Sequence, residues 1–495
     1  MAAQEAVTWP EGMEIPSGAE PPEDVPPEPP LPGGSVQEDG FSLSDDALAL
    51  ELGARGWDDD AKHVDLWKAW LFWTGTRWEL DQTAEALCRT RTFLRDRAAE
   101  VAAWADRKAL DLDPAESKRL VDWAKKQGEI LRGIGKIDAV KRTATTNIPS
   151  MAHPDHFDTD LMLIGTPEGT VDLRTGNLGL ADRWQMITKL TNVAPAERGT
   201  KPERWTAFLE EIFAGDYRLI DFMQRAAGYA LTGMTNEHKL LFLYGSGRNG
   251  KSVFLNTLLW IWGDYARKAP AETFLNSHVE RHSTDVAGLK GARLVMGSEL
   301  PRGKTWDESV IKDLTGGDKL SARFMRQDFF DFVPQLTLMI AGNTQPSFRG
   351  VDEAIRSRVV MVPFTVTIPP EKRDTALQDK LKAEGPAILR WCIEGADQWQ
   401  RRGLDVPASV AAASAEYFDS EDTVGQFLEA EVDCVEGSFE KSADLHQRFT
   451  QWIEKQGMAA WTQNTLIKEL RGRGFSDAKS NGHRGLKGLR LRWVS

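Results

Sequence analysis

The sequence predicts an α/β protein, and three stretches predict it. Leu240-Leu241-Phe242-Leu243-Tyr244 is an apolar strand that runs into Gly245-Ser246-Gly247-Arg248-Asn249-Gly250-Lys251-Ser252 and then into a helical run from Val253 to Trp262. Two further apolar runs, Ala292 to Ser298 and Leu336 to Ala341, read as buried strands that end in Glu299 and in Gly342-Asn343-Thr344. A basic segment at the end of the chain reads as helix, helix and strand.

The first stretch carries chemistry. Gly-x4-Gly-Lys-Ser between a strand and a helix lets successive backbone N–H groups curl round an anion, while the helix directs its positive end at the same point. Lys251 would reach the β and γ phosphates of a nucleotide, and the Ser252 hydroxyl can ligate Mg²⁺. Gly245, Ser246, Gly247, Arg248, Asn249, Gly250, Lys251 and Ser252 are the candidate nucleotide-binding residues, with ATP and Mg²⁺ the implied cofactors.

At 495 residues the chain exceeds one core, and length points to about three domains. Its formal charge of −13 divides unevenly. Residues 1–60 hold fifteen acids and one base, Arg55, a net −14, which leaves −13 − (−14) = +1 for the remainder. Cys88, Cys392 and Cys434 lie far apart with no zinc-type spacing, so neither a disulfide framework nor a zinc site is expected. No apolar run reaches the roughly 18 residues of a membrane span, and a basic, apolar leader is lacking, so the expected location is the cytoplasm, with no membrane partner.

Element by element, residues 1–40 contain nine of the 24 prolines, interleaved with Glu and Gly, and read as a disordered tail. Trp67 to Leu80 suggests two strands joined at Thr74-Gly75, with the Trp residues at core spacing. A helical region is expected from Gln82 to about Gly133, with Leu87, Phe93, Leu94, Ala98 and Val101 on its apolar face. Leu161 to Asn177 reads as two turn-rich strands, and helices after Pro202 lead into the Leu240 strand.

The residues after the loop narrow the chemistry. Glu299, at the tip of a strand expected to lie beside the loop strand, suits an acid that holds the Mg²⁺ shell and polarises an attacking water. Asn343 offers a donor and an acceptor for a γ-phosphate and a lytic water. Arg356 and Arg358, before the strand Val359 to Phe364, could reach a neighbouring subunit's γ-phosphate. Between these strands, Leu314-Thr315-Gly316-Gly317-Asp318 leads into a hairpin whose tip lies near Arg326-Gln327-Asp328, with Lys319, Arg323 and Arg326 as candidate DNA contacts.

Residues 441–495 carry eleven Lys and Arg against four acids, a net +7. Helices Ser442 to Glu454 and Gln463 to Arg471 precede a turn at Asn481-Gly482 and a strand Leu489 to Trp493. That strand would bury Leu489, Leu491 and Trp493 and expose Arg490 and Arg492. Lys468, Arg471, Arg473, Arg484, Lys487, Arg490 and Arg492 are candidate phosphate contacts of a winged-helix-like domain.

In this order, the P-loop, Glu299, Leu-Thr-Gly-Gly-Asp with Ala322-Arg323, Asn343 and Arg356/Arg358 resemble the superfamily 3 helicases of viruses, phages and plasmids. The match is closest to the phage and plasmid primase-helicase family, and residues 157–176 are similar to the segment preceding the helicase there. The resemblance implies an AAA+-like P-loop NTPase core with an N-terminal α+β helicase-associated region, similar to that of poxvirus primase-helicases, and a C-terminal winged helix. It implies an ATP hydrolase that works as a hexameric ring on single-stranded and forked DNA and translocates 3′ to 5′, with Lys251, Glu299, Asn343 and Arg356 or Arg358 catalytic. Ser298 stands where many members carry a second acid, which leaves metal and water roles to Glu299 alone. Primer synthesis is expected to come from a separate chain. The implied domains are a tail 1–45, a helicase-associated domain 46–195, a helical collar 196–235, an ATPase core 236–368, a helical extension 369–420 and a winged helix 421–495. A nucleotide-switched replication initiator and a DNA-packaging motor remain open alternatives.

Overall fold

The computed structural model describes residues 42–57, 59–276, 283–297, 304–326, 328–348, 352–456 and 461–492. The expected tail falls almost wholly outside them, as do Ser298, Glu299, Gln327 and Trp493. The chain forms two compact units, one from the residues up to Leu52 together with Thr90–Ala144, the other from Gly53–Arg89 and Thr145–Ser495. The expected domain 46–195 is therefore split between them.

The smaller unit is helical: α1 (Asp45–Glu51), most of α2 (Glu85–Ala109), α3 (Pro114–Arg132) and α4 (Ile134–Ala144). The helical run expected from Gln82 is broken before α3, where Asp113 accepts the N–H groups of Ala115 and Glu116 and Pro114 takes the first helical position. Lys136 of α4 ties back to Asp45 at 2.6 Å and to the Leu43 carbonyl at 2.7 Å.

The larger unit begins with β1 (Ala61–Val64), β2 (Ala69–Trp73), β3 (Trp78–Leu80) and β4 (Met151–Ala152), in the order β3-β2-β1-β4. Trp70 and Trp78 are buried as expected, whereas Trp67 is exposed. A small antiparallel sheet follows, from β5 (Leu163–Thr166), β6 (Gly169–Asp172) and β7 (Asn177–Gly179), and then α5 (Glu203–Ile212) and α6 (Tyr217–Thr232).

The centre is a five-stranded parallel sheet made by β8 (Leu240–Tyr244), β9 (Ala266–Ala269), β10 (Leu294–Gly297), β13 (Thr337–Gly342) and β14 (Val359–Pro363). Its members β8, β10, β13 and β14 are near-continuous apolar runs because helices cover both faces, whereas the edge strand β9 exposes Arg267 and Lys268. The order is β14-β8-β13-β10-β9, so β13 lies between β8 and β10. This corrects the expectation that the strand leading to Glu299 adjoins the loop strand. Strand order in a parallel sheet is decided by long crossovers, which apolar runs do not encode.

Helix α7 (Lys251–Trp262) follows β8 directly, and α8 (Ser283–Ala287) precedes β10. Helix α9 (Glu308–Gly316) and the hairpin β11 (Leu320–Ala322) and β12 (Phe330–Phe332) lie between β10 and β13, and α10 (Glu353–Arg356) precedes β14. Helices α11 (Leu377–Ala383), α12 (Gly385–Arg402), α13 (Ala408–Glu421) and α14 (Thr423–Glu431) come next. The chain closes with β15 (Val432–Lys441), α15 (Ser442–Lys455), α16 (Gln463–Gly472), β16 (Asp477–Ser480) and β17 (His483–Leu491). These last three strands form an antiparallel sheet in the order β15-β17-β16.

One apolar core joins Met162, Ile164 and Val171 of the small sheet to Trp205, Phe254, Leu294 and Ile393, so packing is continuous across residue 195. A buried cation reinforces it. The Arg293 guanidinium, before β10, donates to the carbonyls of Leu161 at 3.0 Å, Leu231 at 2.7 Å and Leu163 at 2.9 Å, and lies over the Tyr265 ring. The Tyr265 hydroxyl in turn donates to the Lys189 carbonyl and accepts the Gly165 N–H.

Candidate functional site

Strand β8 delivers the chain to the end of the sheet, and the loop 245–250 then reverses it into α7. The reversal needs three glycines in left-handed or mirror conformations, with φ +156° at Gly245, +94° at Gly247 and +85° at Gly250. Two of them also admit no side chain. A Cβ on Gly245 would stand 2.2 Å from the Phe364 carbonyl oxygen, and one on Gly250 would stand 2.5 Å from Cγ2 of Ile212.

Lys251 opens α7 and is buried, 5% exposed. Its ammonium donates to the Gly245 carbonyl and to Oδ1 of Asn249, both at 2.9 Å, and to Oδ1 of Asn343 at 3.3 Å. Asn343 comes from the end of β13, the immediate neighbour of β8 with Gly342 in register with Tyr244. The structure thus brings together Lys251 and Asn343, which stand 92 positions apart. These oxygens of Gly245, Asn249 and Asn343 help hold the amine at the mouth of the loop, and Ser246, Arg248 and Ser252 are exposed around it.

Asn249 was foreseen only as one of the loop residues, and its role is more definite. It is 2% exposed, its Nδ2 donates to the Phe364 carbonyl beyond β14, and its Oδ1 receives Lys251. One amide therefore anchors the lysine to the strand on the other side of β8. The signal was present in the motif, but the partner, 115 positions away, was not.

The two arginines differ. Arg356, at the end of α10, reaches Asp419 and Asp422, each at 3.5 Å, and lies over the Phe418 ring. Arg358 donates to the Ala354 carbonyl at 2.8 Å, while its Nε is buried with no hydrogen-bond partner. Asp352 caps α10 and receives Lys312 at 2.6 Å. Burial alone would raise its pKa, but the bonds from Lys312 and the Ile355 N–H outweigh that and hold it below the usual carboxylate value. Asp422 behaves alike, with burial outweighed by Arg473, the Gly425 N–H and Arg356.

The hairpin forms where expected. Arg326 at its tip has φ +62°, Phe324 stacks on Phe330 with ring centroids 5.5 Å apart, and Arg323 lies over Phe329. Lys319, Arg323 and Arg326 are exposed, with Met325 and Phe329 beside them.

In the C-terminal segment the predicted cations divide. Arg471 pairs with Asp477 at 2.9 Å and Arg473 with Asp422. Arg492 pairs with Asp433 at 2.8 Å and donates to the carbonyls of Glu429 and Ala430 at the end of α14. Lys468, Arg484, Lys487 and Arg490 are exposed.

Residues 52–214 match the family model described as D5 N terminal like, and residues 243–358 match a family of unknown function. A protein of Acanthamoeba polyphaga mimivirus named "Putative helicase" is 24% identical over 325 residues, covering 60% of this chain and 34% of that protein. One of the same name from Sputnik virophage is 30% identical over 164 residues, covering 31% of this chain and 21% of its own length. A third, from Invertebrate iridescent virus 6, is 26% identical over 238 residues, covering 46% and 24% respectively.

This chain resembles the phage-type primase-helicases.

It spans 34% of the mimivirus protein's length and less of the other two. Among solved structures, the apo NrS-1 C terminal region overlays 60% of this primase-helicase-like chain and 78% of its own, with 11% identity and a TM-score of 0.37, too low to carry an argument. No helix among the described residues is long and apolar enough to cross a membrane.

Proposed function

We propose that the chain is an ATP-dependent DNA helicase of phage or plasmid replication, hydrolysing ATP at the loop before α7 and acting as a homo-oligomeric ring, a hexamer by family resemblance. The observation that carries this reading is the meeting of Lys251 and Asn343 at the end of the parallel sheet, above a loop in which Gly245 and Gly250 leave no room for side chains.

The residues present fit a nucleotide triphosphate. Loop N–H groups from Ser246 to Ser252 would cradle the β and γ phosphates, and Lys251 would exchange its neutral oxygen partners for phosphate oxygens. Ser252, exposed in the first turn of α7, and Glu299 would hold Mg²⁺, which when bound neutralises charge on the phosphates. Asn343 would orient the attacking water, with its Oδ1 as acceptor. Arg356 or Arg358 of one protomer would stabilise charge at the next protomer's site. Arg358, which would give up a bond to one neutral carbonyl, suits that task better than Arg356, which would first leave two carboxylates. Lys319, Arg323 and Arg326 on the hairpin would follow a single strand's phosphates, with a winged-helix-like C-terminal domain adding Lys468, Arg471, Arg484, Arg490 and Arg492.

The test is ATP hydrolysis and forked-DNA unwinding by purified protein, with and without single-stranded DNA. DNA-stimulated turnover coupled to unwinding supports the helicase. Nucleotide-dependent assembly on DNA with negligible turnover would replace it by an initiator switch.

A further inference from the structure

Between α16 and the β16–β17 hairpin lies a groove of roughly 810 Å³. Its lining includes Lys441, Lys468, Arg471, Lys479 and Arg484 against a single carboxylate, Asp477, which Arg471 already occupies. Lys479 and Arg484 stand directly opposite each other in the hairpin register. Like charges so placed repel and destabilise a hairpin, a cost that a bound polyanion would remove. The turn between them, Asn481 at φ +48° and Gly482 at φ +79°, is of the tight kind that holds the two strands at this register.

The same groove exposes two amides. Thr462 caps α16 by accepting the Thr465 N–H, which leaves Gln463 and Asn464 on the first turn, exposed and lining the groove one turn before Lys468. Leu466 and Leu470 hold the opposite face of the helix in the core, while Ile467, of the same core, also lines the groove floor. Asn and Gln side chains each offer a donor and an acceptor with the spacing of the adenine edge in the major groove, which is wide enough to admit a helix. The described residues that line the groove include no Phe, Tyr or Trp, and His483 is the one aromatic ring among them, so it offers no run of rings on which successive single-stranded bases could stack.

We infer that this groove binds duplex DNA and reads its sequence, with Gln463 and Asn464 contacting base edges and Lys468, Lys479 and Arg484 the flanking phosphates. The inference rests on the helicase reading only in taking DNA as the partner; it adds a sequence preference that the ATPase site does not supply.

The test uses full-length protein carrying Lys251→Ala, without nucleotide, and selection from a randomised duplex library. An A·T-containing motif should emerge and bind about tenfold or more tightly than random duplex. Gln463→Ala with Asn464→Ala should erase that preference while random-duplex affinity persists. Lys468→Ala and Arg484→Ala should weaken both duplexes alike, each lowering the salt slope by about one. Asn464→Asp preserves side-chain shape but replaces the amide donor; it should change the selected base, a result that misfolding would not give. An unenriched library, or a preference that survives the double substitution, would overturn the inference. Because hydrolysis plays no part in this assay, any of these leaves the helicase reading standing, while absent DNA-stimulated turnover in the wild type would overturn that reading and leave the groove untouched.

Discussion

The loop before α7 and the groove beside α16 both gather positive charge, yet they hold it in opposite ways. In the loop, one lysine is buried, donates to oxygens of Gly245, Asn249 and Asn343, and is framed by Gly245 and Gly250, where a side chain would clash. In the groove several cations lie in the open on a helix and a hairpin, with Lys479 and Arg484 facing each other. The first arrangement suits one compact anion of fixed shape, bound out of water where each contact counts for more. The second suits a polymer whose charge is spread along its length and whose counterions are released on binding.

The largest expected difference is in chemistry. Lys251→Ala should lower ATP hydrolysis by about 10²–10³-fold or more, the scale of losing one charge-stabilising donor, while duplex binding without nucleotide stays at the wild-type value. Steady-state hydrolysis and fluorescence anisotropy read the two; wild-type turnover would remove the lysine from the site. Asn343→Ala should reduce kcat more than KM, since its amide is aligned with a water rather than with the bulk of the nucleotide.

Salt separates the regions next. Three cations acting on phosphate give a slope of about −2.7, so duplex affinity should fall about 40-fold on a fourfold rise in KCl. The KM for ATP should move far less, because a buried contact is poorly screened. Equal salt dependence would erase the distinction.

Glycine substitution sharpens it further. Gly250→Ala adds a methyl into Ile212 at φ +85° and should cost about 3 kcal/mol of stability. Gly482→Ala, at φ +79° with nothing within 4 Å, should cost about 1 kcal/mol. Urea titration measures both, and equal costs would show the loop to be less tightly packed than its contacts imply.

The smallest effect is in pH. Asp422 fastens both Arg356 and Arg473, and its folded-state pKa lies below the ordinary value. Its contribution to stability is therefore complete above about pH 4 and is lost as pH falls from there through the folded value. Asp422→Asn should flatten that acid limb in chemical denaturation; an unchanged limb would place the acid sensitivity elsewhere.

Much of this was legible in the residues because it is local. The strand, loop and helix around Lys251 are consecutive, as are the hairpin at Arg326 and the α16 cap at Thr462. What escaped was non-local or contrary to pattern. Strand β1 carries Lys62 and His63, both buried, and Lys62 is accommodated because its amine reaches the Pro149 carbonyl and lies over the Trp78 and Trp184 rings. Strand β15 contains Glu436 and Gly437, and its partner β17 begins 42 residues after it ends. The place of β10 depends on crossovers, and the Asn249 bond to Phe364 depends on β14 arriving beside β8.

The cage around Arg293 bears on how this protein can be cut. A fragment starting at residue 236, where the motifs of the nucleotide loop begin, would keep the guanidinium and discard the carbonyls of Leu161, Leu163 and Leu231 that receive it. It would also expose the face of the core that Met162, Ile164 and Trp205 cover. A charge left buried without acceptors is among the costliest defects a fold can carry. A fragment that keeps Arg293 together with all three of its carbonyl acceptors must therefore start at or before residue 161, well upstream of the Gly-rich loop.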